Sequence, residues 1–362
     1  MLSFLTEKSL NVVIVEDFFV ARQELEGALR ASKVNVGKIS SVYWGPTDKD
    51  TWTEHQLNLE LNGPAAEPYP PELEELLPEC EVLLIHFAPV SKELLDKAPN
   101  LKAVFTSRGG LEHVDVAACS AKNIPVINVI RNAVPVAEFA IGLMLGITRN
   151  IGYSHHDMIQ GIWNKTFPND GFTATLSNLT VGLVGTGNIG IEVAKRLKAF
   201  DVSMMAWDPY ADQERLKKNG LNHLTFVNNI EDIFRKADIV SLHIRLVPET
   251  EQMIDKKYFS LMKPTAYFIN SARGGLVNQH DLIDALKNRR IAGAALDVFE
   301  HEPVPANAGF AGLDNVLLTP HIAGTTEDAI PKSPYMLMKE VDKIIEHEAT
   351  ERIVNINDIV LS

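Results

Sequence analysis

The chain has 362 residues, enough for two ordinary domains with full cores, and its 46% hydrophobic and 22% charged content belongs to a folded rather than a disordered polypeptide. A net charge of −13 argues against a broad footprint for nucleic acid or an anionic membrane, while leaving room for a small anionic substrate held by a few local arginines. Two cysteines, Cys80 and Cys119, make no disulfide framework and no metal-ligand spacing is present, so no metal is expected and a reducing cytoplasm is the default location.

The first ten residues carry Glu7 and Lys8 and no sustained apolar stretch, so no signal peptide is expected. No membrane span is expected either, because no apolar run is long enough. Residues 11–16, NVVIVE, are a β-branched apolar run that reads as a parallel strand buried on both faces, and residues 18–31 follow with helical spacing. Between 44 and 71 the pattern weakens, with Pro64, Pro68, Pro70 and Pro71 close together. Breakers at that density predict an irregular excursion or loosely packed insertion, read as a surface or subunit-contact flap. Periodicity returns at 73–77, then predicts a strand at 82–86, a helix at 91–97 and a strand at 101–105. Residues 107–115, SRGGLEHVD, form a glycine-containing turn after that strand, where open α/β sheets place ligands. A strand at 125–129 precedes a long apolar helix at 136–148, the expected crossing into a second domain.

The chain is organised around residues 179–210. An apolar run, Val181 to Val184, turns on Gly185, Gly187 and Gly190, continues with Ile189, Val193 and Leu197 at helical spacing, and is followed by a second run ending at Asp208. Strand, tight turn, helix, strand and acid make a dinucleotide site: the glycines allow the turn, the approach of a pyrophosphate and close helix packing. The helix N-terminus favours the phosphates, and Asp208 is placed for ribose hydroxyls and against a 2′-phosphate, which selects NAD over NADP. Alternation continues with helices at 230–236, 256–261 and 280–288 and strands at 239–243, 266–270 and 293–297, a doubly wound parallel sheet. A strand at 316–319 and a helix at 335–347 complete the chain, and this tail is expected to fold back onto the N-terminal unit.

Three residues after strand ends suit hydride chemistry. Arg273 offers a fork for a carboxylate, His321 titrates near working pH, and Glu302, if it meets the imidazole, favours its protonated form. Read from the residues alone, Arg273 pairing with a surface acid, His321 capping a helix and Glu302 facing solvent stay open.

A dense series of blocks resembles the D-2-hydroxyacid dehydrogenase family: Val136-Ala137-Glu138, Gly161-Ile162-Trp163-Asn164, the Gly185–Gly190 loop with Asn188 and Ile189, Asp238 to His243, Leu261 to Pro264, Ile269 to Gly274, Ala295 to Phe299, Glu302-Pro303, and Leu318 to Ile322. The resemblance implies a Rossmann NAD-binding domain (133–323) inserted into a discontinuous flavodoxin-like substrate domain (1–132 and 324–362), and a homodimer formed through the cofactor domains. It places the catalytic set on Arg273, Glu302 and His321. It puts cofactor contacts on Gly185, Gly187, Asn188, Ile189, Gly190, Asp208, His243, Arg245, Ala272, Asp297, His321 and Gly324, with Asp297 at the nicotinamide carboxamide. The substrate, a small anion, is expected on the backbone of Arg108, Gly109 and Gly110 with Arg273 and His321.

Two departures stand out. Arg108 occupies the first glycine position of the usual G-x-G turn, and is expected either to bind a second anionic group of the substrate or to face solvent or a dimer contact. After the histidine the family commonly has a small residue and a proline, where this chain has Ile244-Arg245-Leu246, and Arg245 is expected near the cofactor, either touching its pyrophosphate or adenosine side or partly relaxing discrimination against NADP. The expected activity is D-2-hydroxy acid oxidation or 2-keto acid reduction, phosphoglycerate-like, in a short form without the regulatory domain of longer versions. Glyoxylate or hydroxypyruvate reduction is the alternative within the family, and a dinucleotide-binding corepressor or scaffold the alternative outside enzymes. Glu302 argues against a formate dehydrogenase, which pairs its histidine with glutamine.

Overall fold

Short apolar runs with no polar alternation must be covered on both faces, and parallel pairing with flanking helices does that. In the computed structural model, which describes residues 2–360, the first unit comprises residues 1–132 and 326–362 and the second residues 133–325. The first unit contains β1 (Leu10–Glu16), β2 (Val36–Tyr43), β3 (Val82–Ile85), β4 (Ala103–Thr106) and β5 (Val126–Asn128). All pairings are parallel in the order β2-β1-β3-β4-β5, the flavodoxin-like arrangement, whose winding reverses between β1 and β3. The edge strand β2 is only partly buried, so its sequence, VGKISSVY, carries no continuous apolar run and predicts no strand.

Two local expectations for this unit need correction. Residues 18–31 are not one helix: the helix is Arg22–Ala31, because the Asp17 carboxylate accepts the Phe19 and Val20 N–H groups (both 3.0 Å) and turns the chain first. Residues 44–71 are not an irregular flap. They contain the helix Lys49–Asn62, started by the Asp48 side chain accepting from the Thr51 N–H (2.9 Å) and stopped by Gly63 at φ +79°. Trp52 and Leu59, two turns apart, are fully buried in it, whereas Leu57 and Leu61 are exposed. Apolar residues on several sides of the helix blur its period, and all four prolines follow it. The helix Val116–Ala121 has only six residues, too few to show a period in the sequence.

The C-terminal helix Ser333–Ile345 belongs to this first unit. Its Leu337, Met338, Val341 and Ile344 share a core with Leu25, Ala28 and Leu29, and the Val354 N–H donates to the Val126 carbonyl (2.9 Å).

The second unit contains β6 (Thr180–Val184), β7 (Ser203–Trp207), β8 (Thr225–Phe226), β9 (Ile239–Leu242), β10 (Tyr267–Asn270), β11 (Gly293–Leu296) and β12 (Val316–Leu318). The order is β12-β11-β10-β9-β6-β7-β8, all parallel, with the reversal between β6 and β9. One core, around Phe234, Phe259 and Phe268, covers one face, and another, around Met144, Val193 and Leu197, covers the other. No single described helix is long and apolar enough to cross a membrane, and the most apolar, Ala133–Thr148, packs on β10 and β11.

Candidate active site

The winding reversal between β6 and β9 opens a crevice at the carboxyl ends of the strands, and the glycine turn sits there. Gly185 has φ +101°, and a Cβ on it would lie 2.7 Å from the His243 carbonyl oxygen. A Cβ on Gly190 would lie 2.2 Å from the Gly185 carbonyl oxygen, whereas one on Gly187 would meet nothing within 4 Å. Two glycines are therefore demanded by the fold, and the third leaves space at the N-terminus of the helix Asn188–Lys198. That end of a three-turn helix attracts phosphate.

Asp208, following β7, braces the same turn. Its Oδ2 accepts the Thr186 N–H (2.7 Å) and hydroxyl (2.8 Å), and its Oδ1 accepts the Tyr210 N–H (2.9 Å), leaving acceptor capacity on Oδ1. The Asn188 side-chain oxygen accepts from Arg215, and Ile189 is half-buried. His243 follows β9, and neither of its buried ring nitrogens has a hydrogen-bond partner. Burial pushes its pKa down to about 4, so the ring is neutral. An open glycine cradle, a helix N-terminus, a brace with spare acceptor capacity and an orphaned imidazole fit a dinucleotide. Arg245 is exposed, and its carbonyl accepts from the Thr250 hydroxyl (2.7 Å).

Arg273 follows β10 in a turn clamped by Asn270, whose Oδ1 accepts the Ala272 N–H (3.0 Å) while its Nδ2 donates to the Arg273 carbonyl (2.9 Å). The guanidinium is exposed and spends one donor on the Ala272 carbonyl (2.8 Å). Glu302 accepts the Phe299 N–H on Oε1 (2.9 Å) and the His321 Nδ1–H on Oε2 (2.6 Å). This leaves the His321 Nε2 for exchange with a ligand.

His321 itself sits at φ +52°, in a loop held from below by the fully buried Asp297 at the end of β11. The Asp297 carboxylate accepts from the Thr319 hydroxyl (2.6 Å) and from the N–H groups of Ile322 (3.0 Å) and Ala323 (2.8 Å), and Gly324 lies in the turn that follows. The Glu302 hydrogen bond raises the His321 pKa above its ordinary 6.5 against the opposing pull of burial and Arg273. Burial pushes the Glu302 carboxyl up, but its hydrogen bond and attraction to His321 outweigh this and hold it below the usual range. The structure thus brings Arg273, Glu302 and His321 together within the unit that carries the glycine cradle.

The turn Arg108–Gly110 lies in the other unit, after β4. The Arg108 guanidinium lies flat on the Phe87 ring, 3.6 Å from its centroid, and its Nη2 donates to Glu60 Oε1 (3.2 Å). The Gly109 carbonyl accepts from Asn128 Nδ2 (3.2 Å), and a Cβ on Gly110 would lie 2.4 Å from the Glu112 carboxylate. Sequence reasoning missed Asp17, His86, His113 and Arg131 on the same edge. The signal is present in the sequence, since Asp17 directly follows β1 and His86 directly follows β3.

The sequence profile of the D-isomer specific 2-hydroxyacid dehydrogenase NAD-binding domain matches residues 141–323. The chain is 37% identical over 297 residues to a glyoxylate reductase of Thermofilum pendens, covering 79% of this chain and 86% of that protein. It is 35% identical over 291 residues to a D-3-phosphoglycerate dehydrogenase of Methanocaldococcus jannaschii, covering 80% of this chain but 54% of that protein, so it spans about half the length of that relative. The fold matches that of a D-isomer specific 2-hydroxyacid dehydrogenase from Lactobacillus delbrueckii ssp. bulgaricus solved in its NAD-complexed form (TM-score 0.72, 24% identity, 95% of this chain and 100% of that one).

Proposed function

The chain belongs to the D-isomer specific 2-hydroxyacid dehydrogenase family, and from that premise we propose that it is an NAD-dependent oxidoreductase acting at C2 of a D-2-hydroxy acid or the matching 2-keto acid. The observation that carries this reading is the 2.6 Å hydrogen bond between His321 Nδ1 and Glu302 Oε2, with the Arg273 charge bearing on both groups.

The nicotinamide, when bound, supplies or accepts the hydride. Arg273 holds the substrate carboxylate through its free N–H groups and orients the carbonyl. In reduction, protonated His321 gives the Nε2 proton to the carbonyl oxygen, and Glu302 keeps that proton available by stabilising the imidazolium. In oxidation, neutral His321 takes the hydroxyl proton at Nε2. Asp297 sets the position of the ring by holding the Thr319 hydroxyl before it and the Ile322 and Ala323 N–H groups after it. The negative charge of Asp208 opposes a 2′-phosphate and supports NAD over NADP.

The self-association we propose rests on an exposed apolar face of the second unit. Ile151, Met158, Ile159 and Trp163 are 57%, 51%, 68% and 75% exposed, more apolar surface than one helix and its following turn ordinarily leave in water. A second copy of the chain would cover it. Cys80 and Cys119 are buried free thiols, both pushed up to about 12 by burial, and these unreactive groups fit a reducing compartment.

A panel of glyoxylate, hydroxypyruvate, its phosphate and oxaloacetate, followed by NADH and NADPH absorbance, tests the activity. Turnover with NADH is expected. Absence of turnover with every acid would return the protein to the binding-scaffold reading, and a tenfold preference for NADPH would overturn the role given to Asp208.

A further inference from the structure

The glycine cradle of the second unit has a cation beside it that the hydride chemistry does not use. Beyond Asp208 the chain enters a short helix, Gln213–Lys218, started by the Asp212 side chain accepting the Arg215 N–H (3.0 Å). From that helix the Arg215 side chain reaches back across 27 residues of sequence, and its Nη2 donates to Asn188 Oδ1. Asn188 is the first residue of the helix Asn188–Lys198 and follows Gly187, where a Cβ would meet nothing within 4 Å. The guanidinium therefore stands at the helix end whose first N–H groups have no partner within the helix.

Charge accounting at this end leaves Arg215 over. It is half-buried, makes no ion pair among the described residues, and has the Asn188 oxygen as its side chain's one hydrogen-bond partner among them. The acids nearest to it in the chain are engaged: Asp208 accepts three donors, and Asp212 caps its own helix. Asn188 is a neutral amide, so it occupies one guanidinium N–H and answers none of the charge.

A local cation matters here because the chain as a whole carries −13, an unfavourable field for an anionic dinucleotide. A helix N-terminus offers only about half an elementary charge, less than a pyrophosphate carries. His243 gives a separate sign that this crevice takes a ligand. Its Cβ lies 3.5 Å from where a Cβ on Gly190 would stand, and neither of its buried ring nitrogens has a partner.

We propose that Arg215 is a cofactor-binding residue, held by Asn188 so that its charge and its remaining N–H groups pair with the pyrophosphate of the dinucleotide. The inference rests on the dinucleotide reading of the cradle. A planar guanidinium can keep one N–H on an amide oxygen and offer others to a phosphate. The pyrophosphate, rather than a 2′-phosphate, is the partner because Arg215 is anchored to the first residue of the phosphate-attracting helix, whereas the ribose side of the cradle carries the Asp208 carboxylate.

The test is titration of the full chain with NADH and NADPH, read by fluorescence, and with ADP-ribose, read by calorimetry, in wild type, Arg215→Gln and Arg215→Lys. Arg215→Gln is expected to weaken all three ligands by a similar factor of about ten or more, the scale of a hydrogen bond to a charged group, at an unchanged melting temperature. Arg215→Lys keeps the charge and should bind nearer to wild type than to Arg215→Gln. Added salt should weaken NADH binding less in Arg215→Gln than in wild type, because one screened charge pair is gone. A loss confined to NADPH, which would give the charge to the 2′-phosphate, or a loss for NADH without one for ADP-ribose overturns the inference. So does Arg215→Lys binding no better than Arg215→Gln, an equal salt effect in the two proteins, or a lower melting temperature in Arg215→Gln, which would make Arg215 a structural tie. A wild-type chain that binds none of the three ligands ends the dinucleotide reading and this inference with it; wild-type binding that Arg215→Gln leaves unchanged ends the inference alone.

Discussion

The strand ends of the two units both carry carboxylates that gather donors, but only in the second does a carboxylate hold a half-exposed imidazole. In the second unit the charges answer one another: Glu302 meets His321, Asp297 accepts three donors from the 319–323 loop, and Asp208 accepts three from the glycine turn and the residues after it. In the first unit Asp17 accepts four donors and Arg108 meets Glu60, while one nitrogen each of His86 and His113 has no partner, as neither nitrogen of His243 has in the second. The difference teaches where each unit keeps its capacity for work. A proton carrier must already be positioned and poised, so its partners are built in. A buried imidazole without a partner, such as His243 beside the glycine turn, is instead a group that a ligand can satisfy.

The largest expected effect tests the built-in side. His321→Ala should lower turnover by about 10² to 10⁴, the range that general acid–base catalysis supplies, while NADH affinity measured by fluorescence titration stays near wild type. Loss of NADH binding instead would make His321 a structural part of the cradle.

The glycine turn sharpens the contrast between groups the fold needs and space a ligand needs. Gly190→Ala should cost about 1–3 kcal/mol in denaturant unfolding, because its methyl meets the Gly185 carbonyl at 2.2 Å. Gly187→Ala should leave the unfolding midpoint unchanged yet weaken NADH binding roughly tenfold or more, since its methyl occupies only the space a pyrophosphate would approach. Equal effects of the two on stability would refute the division.

Glu302→Gln probes the matched pair through pH. His321 is raised above its ordinary value mainly by Glu302, so the proton donor for reduction persists to higher pH in the wild type. Removing the carboxylate charge should move the alkaline limb of the reduction rate to lower pH, so the loss is greater at pH 8 than at pH 6. A limb that stays in place would mean that another group titrates.

The smallest effect belongs to Glu60→Gln. It removes the carboxylate charge that pairs with Arg108, whose side chain is 11% exposed, and should cost about 1–2 kcal/mol, read by urea unfolding. No change would mean that the Glu60 charge adds nothing to the hold on the guanidinium.

By itself, the sequence determined what short-range chemistry encodes. Residues 230–236 and 256–261 read as helices to the residue, the apolar runs read as parallel strands, and the glycine turn with Asp208 read as a dinucleotide cradle. Each of those signals is complete within a few residues. The helix Lys49–Asn62 was hidden because Leu57 and Leu61 point away from the core that Trp52 and Leu59 enter, and β2 because an edge strand needs no continuous apolar run. Only the tertiary structure decided that His321 meets Glu302 and that Asp17 meets His86, 69 residues further along the chain. Strand order sets such distances, and it is fixed by the burial of whole sheet faces rather than by any short stretch of chain.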